Sequence, residues 1–138
     1  MTINELRKKC YELELEGKEI LDKYTDEDLE KIYNGIGPDA FPDWVRDFIT
    51  ELNPSLAPVA LIHDVEWHES DGTEKTFHES NFRFRRNGNA VAKTYAWYCL
   101  RRYIVWNHTR LFYKALETIF GKLAWKEAYQ KRERRSHA

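Results

Sequence analysis

Ala60-Leu-Ile-His63-Asp64-Val-Glu-Trp67-His68 is the stretch on which the reading of this chain turns. It places two ionisable side chains next to each other in an otherwise apolar run, and its spacing predicts a helix. Downstream, Ser70-Asp-Gly-Thr73 is a tight-turn signal, with Thr73 suited to cap a second helix running to about Arg86. That helix carries one polar residue, Asn81, in a stripe with Phe77 and Phe84. Counted from the turn at ~1.5 Å per residue, His63 and Asn81 lie at depths of ~8 and ~10 Å. If the two helices pack antiparallel, the amide faces the imidazole. A buried amide needs a partner, because leaving one unsatisfied costs ~1–3 kcal/mol. His63 is the candidate.

Working outward, the remaining segments also read as helices. Ile3, Leu6, Cys10, Leu13 and Ile20 recur at helical spacing over residues 3–23, and Thr25 with Asp28 opens a short helix over 26–32. Tyr33-Asn-Gly35-Ile-Gly37-Pro38 stops it, and a further helix is expected from Pro42 to about Leu52. Asn53-Pro54 breaks that one, and Pro58 opens the helix bearing His63. Asn87-Gly88 reads as a stop. From Ala90 the pattern is helical again, with one stripe through Ala92, Ala96, Cys99, Leu100 and Tyr103 and another through Phe112, Leu116, Ile119 and Leu123. Asn107-His-Thr109 is a candidate interruption between them. No segment alternates as a strand would, so the predicted fold is all-α, a small helical domain over 1–130 with a central antiparallel hairpin. Residues 131–138 form a basic tail expected to be solvated and frayed.

At 138 residues and a net charge of −1, the chain is long enough for one core. The balanced charge argues against nucleic-acid binding and bulk attraction to a membrane. Cys10 and Cys99 are too few for a disulfide framework. The N-terminus lacks a signal peptide's apolar run and no stretch is long enough to span a bilayer, so a cytoplasmic, reduced chain is expected. The aromatic residues from Tyr95 to Tyr113 exceed what one buried stripe holds. Some must be exposed, against lipid, a protein partner or another subunit.

Asp64 projects about 100° around the helix from His63 and can address a different neighbour, the glycine loop. The carbonyls of Tyr33, Gly35 and Gly37 alternate along that loop, as backbone oxygens do when they converge on a hard cation. One carboxylate with such carbonyls suits calcium. Loop, His63-Asp64-x-x-Trp67 and facing helix together resemble the secreted phospholipase A2 superfamily over residues 33–84. That family has a Tyr-x-Gly-x-Gly calcium loop, a His-Asp-x-x-Tyr helix and an Asp on the opposite helix. The resemblance implies a calcium-dependent hydrolase of a phospholipid or similar ester. Its metal ligands would be Asp64, Tyr33, Gly35 and Gly37, with His63 as general base and Asn81 orienting it. Trp67 replaces the family's Tyr and Asn81 its Asp, the family's disulfides are absent, and the gap between loop and helix is long. A small bacterial or prophage-type relative fits these departures.

Two further readings stand beside this one. The chain is then a non-catalytic prophage-type module binding a protein or lipid partner. Alternatively His68, Asp71 and His78 suggest a transition-metal site bridging the hairpin, with Asp64 and His68 on one helix face and Glu74 and His78 on the next. Separately, the His63-Asp64 dipeptide resembles that of HD-type phosphohydrolases, which need further His and Asp ligands from other helices.

Overall fold

Six α-helices and no strand occur among residues 2–33 and 53–136, the part of the chain that the computed structural model describes. They are α1 (Ile3–Glu12), α2 (Asp26–Tyr33), α3 (Ala57–His68), α4 (Glu74–Ala92), α5 (Leu100–Glu117) and α6 (Ile119–Ser136), with 3-10 turns at Lys18–Lys23 and Pro54–Leu56. The all-α expectation therefore holds for the described residues. Gly35, Gly37 and the helix expected over 42–52 lie outside them.

The centre of the fold is α3. Ten of its twelve residues are buried, from Ala57 to Trp67, and a helix apolar on every side belongs inside a protein. Helices α1 and α2 pack on one flank, α4 and α6 on the others, while α4 also packs along α5. Trp67 meets Trp125 of α6 and Phe77 of α4 edge-on, with ring centroids 5.4 and 6.3 Å apart, so it is a core residue.

Two helix starts are those the sequence predicts. Thr25 Oγ1 accepts from Asp28 N at 3.1 Å, and Thr73 Oγ1 accepts from Thr76 N at 3.3 Å. Gly72 supplies the left-handed backbone of the turn, at φ 78°. Three helix ends differ from the prediction. Residues 3–23 do not form one helix: α1 stops at Glu12 because Glu14 takes a left-handed conformation, φ 52°. Leu15 N then donates to Cys10 O at 3.0 Å and Glu14 N to Tyr11 O at 3.1 Å, the paired bonds of a Schellman cap without its usual glycine.

Asn87-Gly88 is not a stop either, and α4 runs through it to Ala92. Both residues serve packing. Asn87 Oδ1 accepts from Glu16 N at 2.8 Å and its Nδ2 donates to Glu16 O at 2.9 Å, clasping the α1 exit. Gly88 lets α5 come close, since a Cβ there would lie 2.4 Å from Thr109 Cγ2. Thr109 caps nothing: α5 is continuous across Asn107-Thr109, and Thr109 Oγ1 bonds back to Val105 O at 2.8 Å. The break comes earlier, between Lys93 and Cys99, so the stripe proposed from Ala92 to Tyr103 is not one helix face. The basic segment after residue 130 continues as helix to Ser136, and Arg132 Nη1 donates to His68 O at 3.4 Å.

Candidate functional site

His63 and Asn81 meet. Asn81 Oδ1 lies 2.9 Å from His63 Nε2, and both side chains are buried. The remaining amide group fixes which atom does what. Asn81 Nδ2 donates to Leu116 O at 3.4 Å, near the end of α5, so its oxygen is the atom turned to the ring. His63 is consequently the donor in the 2.9 Å bond, through Nε2–H, and Nδ1 carries the lone pair of the neutral ring. One amide thus ties α3, α4 and α5 together.

The ring lies among aromatic neighbours, Trp67 and Phe84, each with its centroid 5.4 Å away. Burial disfavours the imidazolium and pushes the His63 pKa down to about 4. The Asn81 bond opposes that shift, and the positive charge of Arg83 adds to it. His63 is neutral at pH 7. Chemically this is a proton acceptor with a fixed tautomer, weaker as a base than a free imidazole.

Asp64 is 3% exposed, on the same buried helix. Tyr33 is the last residue of α2, where the helix dipole is negative and a cation is favoured. Helices α2 and α3 pack together. Gly35 and Gly37 lie outside the described residues. Among the described residues no three His, Cys, Asp or Glu side chains cluster as a metal site. The transition-metal alternative accordingly lacks a ligand set there. His78 Nδ1 instead pairs with Glu117 Oε2 at 2.6 Å, and Asp71 Oδ1 accepts from Thr73 N at 2.9 Å.

A second ionic group borders the centre and is not signalled by any sequence motif. Glu66 pairs with Arg83 at 2.8 Å, and Arg86 forms a two-pronged pair with Glu16 at 2.6 and 2.7 Å. Burial pushes the Glu66 carboxyl up to about 7, against the pull of Arg83. Spacing alone could have suggested none of these contacts, since Glu16 is remote in sequence from both arginines.

Many of the aromatic residues of the second half are exposed. Trp97, Tyr98, Tyr103 and Trp106 face outward, together with Leu100, Ile104 and Leu111, while Phe112 is core. No described helix is long and apolar enough to cross a membrane. The chain matches no family model, no curated protein and no solved structure in these comparisons.

Proposed function

We propose that the chain is a phospholipase A2-like protein whose His63, Asp64 and Asn81 support slow, calcium-dependent hydrolysis of a phospholipid or similar ester. The observation that carries the reading is the 2.9 Å bond from His63 Nε2 to Asn81 Oδ1, because it leaves Nδ1 as the proton-accepting atom. Asp64 and the carbonyls of Tyr33, Gly35 and Gly37 are the groups that would hold the ion. An ion held there would supply Lewis-acid polarisation of an ester carbonyl and stabilisation of negative charge on its oxygen. His63 Nδ1 removes the proton of the attacking water while Nε2–H stays on Asn81. Two features keep turnover low. Asn81 cannot offset imidazolium charge, and a base with a pKa of about 4 has little drive to take a proton near pH 7.

The test is calorimetric calcium titration of the wild type and Asp64→Asn, with acyl release from phosphatidylcholine vesicles measured for both and for His63→Gln. Calcium heat lost in Asp64→Asn, and acyl release lost in both variants, are expected. An absence of calcium heat in the wild type refutes the reading.

A second reading, a non-catalytic module binding a protein or lipid partner, is favoured by the burial of His63 and the exposure of Trp97 and Trp106. It requires calcium-independent partner binding that falls when those two tryptophans are replaced, and no acyl release.

A further inference from the structure

A furrow follows the seam between α4 and α5 on the outer side of the pair. Phe82, Asn89 and Lys93 fall within about 40° of one another along α4 and its cap, and Arg102, Trp106 and Tyr113 within about 40° along α5. The two rows meet. Phe82 packs on Tyr113 with ring centroids 5.6 Å apart, and Asn89 and Lys93 line one cleft with Arg102 and Trp106. Each ring of the α5 row has a guanidinium over it, Arg85 on Tyr113 at 5.3 Å and Arg110 on Trp106 at 4.7 Å. Tyr113 and Trp106 are two helical turns apart, about 10 Å along the axis. The exposed aliphatic residues Leu100, Ile104 and Leu111 lie on the far side of α5 and take no part.

Charge is segregated onto the same part of the chain. Between Glu79 and Glu117 there is no acidic residue, against eight lysines and arginines, in a protein whose net charge is only −1. Arg83 and Arg86 are engaged by Glu66 and Glu16, and the other six have no such acidic partner among the described residues. The neutral total therefore conceals a basic region, and the balance of the whole chain carries no weight against an anionic partner here. The cleft at the Lys93 end of the furrow holds about 400 Å³, with Lys93 and Arg102 as its cations and Tyr103 and Trp106 as its aromatic walls. Asn89, which also lines it, has an Oδ1 with no hydrogen-bond partner among the described residues. A ligand N–H satisfies that acceptor.

We infer that the α4–α5 furrow holds single-stranded nucleic acid, with bases stacked at Trp106 and Tyr113 and phosphates on Lys93, Arg102 and the neighbouring arginines. Bases stack on exposed rings whatever their identity, and an arginine beside the ring adds to the attraction. The distance of about 10 Å between the two rings matches three steps of a stacked strand at ~3.4 Å each. Every base also carries an N–H for Asn89 Oδ1. A duplex is disfavoured, because its paired bases already stack on one another and offer no free face. An acidic peptide is disfavoured too, since its carboxylates would use the cations and leave the rings exposed. The like charge along the furrow opposes pairing with a second copy of itself. The inference stands apart from the hydrolase reading, because it uses no residue of the His63 centre.

The test is fluorescence anisotropy of a short labelled oligoadenylate, as DNA and as RNA, titrated with the full chain in EDTA at about 50 and 200 mM salt. Expected are binding of both strands at the lower salt, quenched tryptophan emission, and affinity that falls with salt by about 0.7 of a log unit per log unit for each phosphate contacted. Trp106→Leu should weaken binding about tenfold, through lost stacking. Lys93→Gln with Arg102→Gln should make the salt slope shallower by about 1.4. Leu111→Gln, on the far side of α5, should bind as the wild type does. All four positions are at the surface or in the open cleft, and circular dichroism checks that the variants fold. EDTA removes calcium, so a failure of the hydrolase reading leaves this result intact. The inference is overturned by no binding at the lower salt, or by unchanged affinity in both Trp106→Leu and the Lys93–Arg102 double variant. It is also overturned by a duplex or polyglutamate binding as tightly as the single strand.

Discussion

Replacing Asn81 by aspartate tests the buried centre from both sides. Asn81 now makes two bonds, accepting from His63 at 2.9 Å and donating to Leu116 O at 3.4 Å. A carboxylate keeps the first and loses the second, and it sets two acceptor oxygens against each other in a buried site. Leaving the Leu116 carbonyl without its donor should destabilise the fold by about 1–3 kcal/mol. The same charge favours imidazolium, so the His63 pKa should climb from about 4 by roughly 1–3 units. In a serine-protease triad, the converse change from carboxylate to amide costs about 10⁴ in turnover. A gain of up to about that size is therefore expected in acyl release, at reduced stability. Urea unfolding gives the first quantity, NMR titration of the His63 ring the second, and single-turnover acyl release the third. A ring still titrating near its wild-type value, in a variant as stable as the wild type, would refute the geometry on which the site rests.

Gly88→Ala should destabilise by about 1–2 kcal/mol despite alanine's better helix propensity, because its Cβ would lie 2.4 Å from Thr109 Cγ2. Most of that loss should vanish in a Thr109→Ala background, as measured by a urea double-mutant cycle. Asn87→Ala removes both bonds to the Glu16 backbone and should cost about 2 kcal/mol, read as a lower urea midpoint at unchanged slope. Lowering pH should weaken the fold through His63. Its folded pKa of about 4 lies below the ordinary 6.5, so its contribution is whole above pH 6.5 and shrinks as pH falls toward 4. The loss should approach about 3 kcal/mol. Glu66 acts oppositely, since its raised pKa favours the fold at low pH and loses that effect as pH rises through about 7. The difference between wild type and His63→Gln across pH 4–6.5 isolates the histidine, and parallel curves would exclude its burial.

The helical class and the meeting of His63 with Asn81 were legible because both follow from local quantities. Rise per residue, turn chemistry at Asp71-Gly72 and an isolated amide in an aromatic stripe are enough to place the two side chains level. Helix ends were harder where tertiary contacts overruled local preference. Asn87 and Gly88 carry a stop signal in isolation, yet one clasps Glu16 and the other admits Thr109, so the helix continues. Glu14 does the reverse, ending α1 with a residue that carries no stop signal. The pairing of Glu66 with Arg83 depends on helix packing that no periodicity encodes. The charge asymmetry was present in the sequence but is invisible in a net total. The calcium ligands expected at Gly35 and Gly37 lie outside the described residues.

The two cysteines give the molecule a timer of its own opening. Cys10 is buried, its thiol donates to Pro58 O at 3.3 Å, and burial raises its pKa to about 12. Alkylation of that sulfur has to wait until α1 swings off α3 and the thiolate can form. Cys99, partly exposed beside the aromatic segment, reacts without that wait. One sample thus reports two clocks at once: a fast one at the surface, and a slow one that ticks only when the first helix detaches.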